Sequence, residues 1–294
     1  QENVHFLVYN NEDYIPGAGD SGEKWLHMKP DLRIEQVIAR LSNNAVCFAS
    51  HPEAAPPFFQ NLLLNRGKWH DRDYEQTGLH GLQIWNGEEE TAAAGLKKWR
   101  HLLLQGKRLF IIAGTDAHGN FNRFRQITRP LMAMADRMNW QVFGSHRTLV
   151  FHPGKATTHS LAKALHSGAM VVTSGPFFAL HAIDEKGNTV QMGGQITTAN
   201  CRLVVRGISS NEFGDIKEVS LYRGDLLKKT EDIILQETTF KNPHDIAINL
   251  ALKVEPDQIF YYRAALRGEM SHSFRMQALT NPVWHGSGIF SERA

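Results

Sequence analysis

The sequence lacks several features that would assign it to a functional class directly. Its 294 residues contain only two cysteines, Cys47 and Cys201, in apolar strand-like runs far apart. This favours buried thiols, although a single disulfide and the compartment both stay open. The net charge is only +2, and no block of like charges suggests nucleic acid as a partner. No apolar run approaches the roughly 18 residues of a membrane helix, and no glycine-rich nucleotide-binding loop is present.

What is present describes a globular protein with one large or two ordinary domains. Hydrophobic residues make up 42% of the chain and charged residues 21%. The first half alternates continuous apolar runs with segments of helical spacing. The predicted strands are 4–9, 45–50, 79–85 and 109–113, and the predicted helices are 31–41 and 91–105. This alternation predicts a parallel sheet, either a barrel or doubly wound.

The second half changes character after a last short helix, predicted over 158–167 and closed by Gly168. From Met170 onward, strand patterns recur at spacings of about ten residues. Residues 246–253 and 260–266 alternate between apolar and other side chains, which is typical of half-buried strands. We therefore predict two domains, an α/β domain over 1–170 and an antiparallel β-sandwich over 171–294.

Candidate metal ligands follow the predicted strands of the first half. His51 ends the second strand, and Asp116 and His118 follow the fourth as an Asp-x-His pair. The carboxyl ends of parallel strands meet at one edge of a sheet, so these side chains would converge there. Carboxylate oxygen together with neutral imidazole suits Mn, Fe or Zn. His5, beside the first strand, is a candidate fourth ligand.

Each candidate also has an ordinary structural interpretation. A histidine beside an apolar strand is often a satisfied core or cap residue, which applies to His5, and Pro52 after His51 could simply fix a turn. Asp116 could cap a following helix. Several arginines follow the Asp-x-His pair, and one of them, with Arg147 as our candidate, could hold an anionic substrate. The alternative is a solvated loop surface. The arginines are Arg123, Arg125, Arg129 and Arg147.

A series of short motifs resembles the PHP (polymerase and histidinol phosphatase) metallohydrolases, and within them the CehA/McbA group. The matching stretches are Phe48-Ala49-Ser50-His51-Pro52-Glu53, Gly81-Leu82-Gln83-Ile84-Trp85-Asn86-Gly87, Gly114-Thr115-Asp116-Ala117-His118, Phe143-Gly144-Ser145-His146-Arg147-Thr148, Ala164-Leu165-His166-Ser167-Gly168, Val172-Thr173-Ser174-Gly175-Pro176 and Ala278-Leu279-Thr280-Asn281-Pro282-Val283-Trp284. Their order and spacing, more than any one motif, carry the resemblance.

The resemblance implies a distorted seven-stranded β/α barrel with divalent ions at the carboxyl ends of its strands. His51 would match the His-Pro ligand of the family, Asp116 and His118 its Asp-x-His ligands, and His5 a further histidine. The implied activity is metal-dependent hydrolysis, most readily of a phosphoester, with water activated by Mn, Zn or Fe. Another small-molecule ester is open as the substrate. Asp116, His118 and Arg147 would be catalytic.

One departure from the family opens a second interpretation. Members begin with a His-x-His pair, which this sequence does not contain. The match begins in mid-barrel, and the sequence starts at Gln1, so we expect a fragment or a natural remnant. Another chain or a preceding segment would then complete the incomplete barrel. The rival hypothesis is a non-catalytic binding or assembly module, or an inactive remnant.

Overall fold

The computed structural model describes residues 3–15, 32–56, 61–62, 65–86, 89–116, 144–255, 257–271 and 274–286. The strands of the first half are β1 (Phe6–Tyr9), β2 (Val46–Ser50), β3 (Gly81–Trp85), β4 (Phe110–Ala113) and β5 (Arg147–Val150). The α helices are α1 (Ile34–Ile38), α2 (Glu89–Leu104) and α3 (Thr158–Ser167), and a 3₁₀ helix covers Asp71–Glu75. β1 to β4 and the three α helices fall inside the segments that hydrophobic spacing predicts, or within two residues of them. β5 and the 3₁₀ helix were not predicted.

Eleven further strands follow within the described residues. They are β6 (Met170–Thr173), β7 (Phe177–Asp184), β8 (Thr189–Gln191), β9 (Gln195–Ile196), β10 (Asn200–Ile208), β11 (Ile216–Asp225), β12 (Thr230–Glu237), β13 (Asp245–Lys253), β14 (Phe260–Ser271), β15 (Phe274–Thr280) and β16 (Val283–His285). The last predicted helix is confirmed: α3 ends at Gly168, which adopts φ +78 as its C-cap. That left-handed conformation favours glycine.

The first four strands form a sheet in the order β1-β2-β3-β4. β2, β3 and β4 are parallel, as predicted. The expectation of a wholly parallel sheet is wrong for β1, which pairs antiparallel with β2. The direction of β1 matters for the site, because it places the start of β1 beside the end of β2.

The predicted fold class is borne out only in its coarser part, since the described residues are rich in β structure and sandwich-like. In the described residues the first half contributes an open mixed sheet, and a PHP-type barrel stays a prediction. β5 and the strands of the second half form two sheets. One has the order β13-β10-β7-β8, and the other has eight strands, with the order β12-β11-β14-β15-β6-β5 and with β16 beside β14 and β9 beside β16. Buried apolar side chains from both sheets make one core between them, as in a β-sandwich.

Two side chains from outside the first sheet satisfy the free edge of β4. Asn281 accepts a hydrogen bond from Ile111 N (2.7 Å) and donates one to Ile111 O (3.1 Å). Thr148 Oγ1 accepts from Ala113 N (2.9 Å) and donates to Ala113 O (3.1 Å). An amide and a hydroxyl therefore replace the neighbouring strand that this edge would otherwise need.

The two halves also share buried apolar surface. Trp99 of α2 and Phe48 of β2 belong to the same core cluster as Tyr261 of β14 and Trp284 of β16. β5 and β6 pair with each other, and β6 also pairs with β15 of the sandwich. The predicted boundary at residue 170 thus lies beside strands that join the larger sheet, and the division into two domains stays a prediction.

Two smaller expectations are also addressed by the structure. Cys47 and Cys201 are both buried free thiols, so they do not form the disulfide that the sequence left open. In the part of the chain that the structure describes, no helix combines the length and apolarity needed to cross a bilayer.

Candidate functional site

The carboxyl edge of the first sheet brings together two of the predicted site residues, His5 and His51. His51 directly follows β2, and His5 directly precedes the antiparallel β1, so both reach the same edge. His5 Nδ1 lies 3.0 Å from His51 Nε2, and the rings meet edge to face with centroids 5.0 Å apart. The sequence places His5 near the first strand, but only the reversed direction of that strand explains the contact.

The backbone around this histidine pair is held by specific hydrogen bonds. The carbonyl of His5 accepts from Ser50 N (3.3 Å) and from the indole nitrogen of Trp69 (3.2 Å). His51 adopts φ +30, an uncommon value for a residue with a side chain. Strained backbone of this kind concentrates at functional positions, where the surrounding structure maintains it. The positive φ of His51 therefore indicates that the surrounding structure holds the backbone of this turn in one uncommon conformation.

Asp116 lies three residues beyond β4 and also has a positive φ, +48. A polar layer runs beneath this edge, where Ser50 Oγ donates to Gln83 Oε1 over 2.7 Å and both side chains are buried. Gly114 passes close above this layer, since a Cβ there would lie 2.5 Å from Gln83 Nε2. Glycine at this position lets the chain leave β4 toward Asp116 without displacing Gln83.

Sequence reasoning did not single out His146 as a site residue. Its ring packs on Trp85 at the end of β3, with centroids 4.8 Å apart, and only 4% of the residue is exposed. Burial, aided by the positive charge of Arg147, lowers the pKa of His146 to about 4, so the imidazole is neutral at neutral pH. The available signal was its place in the matching stretch Phe143-Gly144-Ser145-His146-Arg147-Thr148.

Two buried polar atoms lie at the same edge without a hydrogen-bond partner among the described residues. They are the indole nitrogen of Trp85 and Oδ1 of Asn86. A donor and an acceptor that are both buried and unpaired are uncommon in folded proteins and call for a specific explanation. Here they stand beside His146, at the end of the central strand β3.

Of the remaining predicted site residues, the structure describes Arg147, and the others lie outside the described residues. The guanidinium carbon of Arg147 is 5.6 Å from the centre of the Phe213 ring, in a cation–π contact. Phe213 precedes the sandwich strand β11, so Arg147 lies against the sandwich, and its role as an anion-binding or catalytic residue stays a prediction. His118 lies outside the described residues, as do Arg123, Arg125 and Arg129.

The described residues contain no group of three or more His, Cys, Asp or Glu side chains arranged to hold a metal ion. His5 and His51 are the two predicted ligands that the structure brings into contact, and metal binding by them stays a prediction. Asp116 follows β4 at the same edge, and His118 lies outside the described residues. At this edge the described residues hold a histidine pair, and the Asp116 side chain does not form a three-member ligand group with it.

Comparisons with known proteins add little to this geometry. No family model matches the chain, and no curated protein matches it. Among solved structures, the chain is similar to a Niemann-Pick type C2 protein from Japanese carpenter ant, with 9% sequence identity and a TM-score of 0.23. That similarity covers 47% of this chain and 98% of the other. A TM-score this low carries no information about fold or function, so any proposal has to rest on the site itself.

Proposed function

We propose that this chain is a metal-dependent hydrolase, with a phosphoester as its preferred substrate class. The observation that carries the proposal is the contact between His5 Nδ1 and His51 Nε2 at 3.0 Å. Two nitrogen ligands at 2.0–2.1 Å from a tetrahedral ion would lie about 3.4 Å apart. As it stands, the contact is a hydrogen bond in which one of the two nitrogens carries the proton. Binding one ion would replace that proton and move the nitrogens apart only slightly, from 3.0 Å to about 3.4 Å, so the two rings are close enough to share an ion.

Asp116 and His118 complete the proposed ligand set. Asp116 follows β4 at the edge where β2 ends, and its positive φ resembles that of His51. A mixed set of imidazoles and carboxylate is suited to Zn, Mn or Fe. When bound, such an ion polarises a phosphoryl or carbonyl oxygen and lowers the pKa of water, which is the chemistry that ester hydrolysis needs.

The chain's own residues have separate roles under this proposal. Hydrogen bonds from Ser50 N and Trp69 to the carbonyl of His5 fix the start of β1, and with it the position of that imidazole. Trp85 and His146 form an apolar, uncharged wall beside the site.

The test combines metal content with hydrolysis. The purified chain is desalted and analysed for Zn, Mn and Fe, and then assayed on a chromogenic phosphodiester, a phosphomonoester and a carbamate. His51→Ala should lower metal affinity by at least the roughly 10- to 100-fold seen when an outer partner of a ligand is lost, and should lower hydrolysis with it. Asp116→Ala should do the same.

The matched control is His159→Ala, which removes an exposed histidine on α3. It should retain the metal content and activity of the unaltered chain. If the chain binds no metal, or if His51→Ala and Asp116→Ala leave metal content and activity unchanged, the hydrolase proposal is wrong for this site. The binding-module interpretation would then be preferred.

A further inference from the structure

The sandwich has a long strand at its edge whose outer side is unpaired within the described residues. β13 is the terminal strand of the order β13-β10-β7-β8. It pairs with β10 over nine consecutive residues without a register shift, from Asp245 to Lys253. A long and regular edge strand of this kind is a template for pairing with another strand, and natural proteins usually protect such edges.

The hydrogen bonds that flank the pair reveal which backbone groups of β13 point outward. Ser209 N donates to His244 O, and Val254 N donates to Ala199 O. Hydrogen-bonded and non-hydrogen-bonded pairs alternate in an antiparallel ladder, so the even-numbered residues of β13 direct their N–H and C=O groups to β10. The outward groups belong to the odd-numbered residues, which are Asp245, Ala247, Asn249, Ala251 and Lys253.

This outward set is self-complementary about its central residue. In an antiparallel pair of two copies centred on Asn249, Asp245 of each strand lies opposite Lys253 of the other, and Ala247 lies opposite Ala251. Opposite charges therefore meet at both ends, where Asp245 also pairs with Arg206 of its own chain (2.7 Å) and Lys253 with Glu255 (3.5 Å). Small side chains meet between them, and all five outward residues are used. Cross-strand pairs of opposite charge stabilise such a ladder, whereas like charges destabilise it.

The inner face of β13 supports the same arrangement. Ile248, Leu250 and Leu252 are only partly buried, and they pack against the core of the sandwich. In the register centred on Asn249, Ile248 lies opposite Leu250 of the second copy, in a non-hydrogen-bonded pair where side chains approach most closely. Pairing would thus cover apolar side chains that the single chain leaves half exposed.

The corresponding edge of the other sheet does not offer this complementarity. β12 carries three acidic residues, Glu231, Asp232 and Glu237, and its pairing with β11 contains a register shift. Arg100 and Arg263 bind Glu231. However, β12 itself carries no basic residue to lie opposite Asp232 and Glu237 in a second copy, and the irregular register would interrupt the ladder. β8, at the opposite end of its sheet, has three residues only.

We propose that two copies of this chain associate through β13, in an antiparallel ladder with a two-fold axis at Asn249. The partner at this edge is a second copy because β13 complements itself in charge and in side-chain size. Its odd-numbered residues, whose backbone groups point outward, also lie opposite one another in this register. The two four-stranded sheets of the sandwiches become one continuous eight-stranded sheet. Isologous pairing of this kind closes after two copies.

The test uses the exposed side chain at the two-fold axis, which should not affect folding of the single chain. Asn249→Lys places two lysines opposite each other, and Asn249→Asp places two aspartates there. Each variant alone should dimerise about fivefold or more weakly than the unaltered chain in sedimentation equilibrium. An equimolar mixture of the two should recover dimers, because the heterodimer sets lysine against aspartate.

The control is Asn211→Lys, which makes the same charge change at an exposed turn residue outside β13. It should dimerise like the unaltered chain. Three results would overturn the proposal: a monomer at every attainable concentration, a dimer that Asn249→Lys does not weaken, or variants whose mixture stays as monomeric as its components. Equal weakening by Asn211→Lys would overturn it as well, because the effect would then be one of net charge.

Discussion

At the scale of single residues, the site depends on side chains whose properties come from their surroundings. His51 and Asp116 keep uncommon backbone conformations with φ +30 and +48. His146 is buried against Trp85 and stays neutral because a charged imidazole would be poorly solvated there. His51 and Asp116 depend on an uncommon backbone conformation, whereas His146 depends on a buried environment that keeps it neutral. A single substitution tests each of these residues.

The depressed pKa of His146 predicts a specific dependence of stability on pH. The pKa is about 4 in the folded chain, against an ordinary value of 6.5. Between these values the unfolded chain binds a proton that the folded chain does not, so the free energy of unfolding falls as the pH falls. The loss attributable to this group reaches about 3 kcal/mol near pH 4.

His146→Gln should remove that part of the pH dependence. The measurement is the free energy of unfolding in urea, taken for both proteins between about pH 7 and about pH 4.5. The unaltered chain should lose more stability over this interval than the variant does. His159→Gln, at an exposed position, should behave like the unaltered chain, and parallel pH profiles for all three proteins would contradict the assignment.

At the scale of secondary-structure elements, a buried carboxylate connects helix α2 to the sandwich. Glu231 of β12 accepts hydrogen bonds from Arg263 Nε and Nη2, each over 2.7 Å, and from the Tyr261 hydroxyl at 2.7 Å. Arg100 of α2 forms an ion pair with the same carboxylate. Burial alone would raise the pKa of Glu231, but the hydrogen bonds and charge of Arg263 outweigh it, and the pKa is lowered.

Glu231→Gln should destabilise the chain strongly. The change leaves the buried guanidinium of Arg263 without its counter-charge, and breaking a buried pair from one side costs about 3–5 kcal/mol. Urea denaturation at neutral pH measures the effect. Glu237→Gln, on the same strand but exposed, is the control and should change stability little. A loss no larger than that of the control would show that the pair does not stabilise the fold.

The elements themselves were largely predictable from the sequence, because their signals are local. Apolar spacing placed α2 and α3, and Gly168 marked the end of α3. Continuous apolar runs placed β2, β3 and β4. The direction of β1 was not predictable, since an alternating or apolar run has no polarity, and for that reason the contact of His5 with His51 was beyond sequence reasoning.

Long-range polar pairs were also beyond sequence reasoning. Glu231, Arg263 and Asn281 are each unremarkable in the sequence, because nothing near them indicates burial. Their role depends on partners far along the chain, such as Ile111, which lies 170 residues from Asn281. His51 and Asp116 could be singled out because strand ends are local features. Whether they bind a metal stays a prediction.

At the scale of the whole molecule, the first sheet and the sandwich are joined by one shared core and by the edge of β4. Trp99 and Phe48 pack in the same cluster as Tyr261 and Trp284. Asn281 is fully buried and satisfies both backbone groups of Ile111. This arrangement predicts that the two halves unfold together.

Asn281→Leu should therefore lower the stability of the entire chain. The buried N–H and C=O of Ile111 would each lose a partner at about 1–3 kcal/mol, so we expect a total loss of about 2–6 kcal/mol. Urea denaturation followed by tryptophan fluorescence and far-ultraviolet circular dichroism should give coincident transitions for the unaltered chain. Asn211→Leu is the exposed control. Separate transitions, or a loss of stability no larger than that of Asn211→Leu, would contradict the prediction that Asn281 joins the two halves so that they unfold together.

The closure of β4 by Asn281 has a consequence for how the chain folds during synthesis. The first sheet can form early from sequential strands, but the Ile111 groups at its edge stay open until the chain has grown by another 170 residues. For that interval the nascent protein exposes part of a strand edge that is able to pair with other chains. A residue between β15 and β16, made long after the first sheet, thus protects that sheet, and slow synthesis of the intervening segment would leave the sheet prone to aggregation.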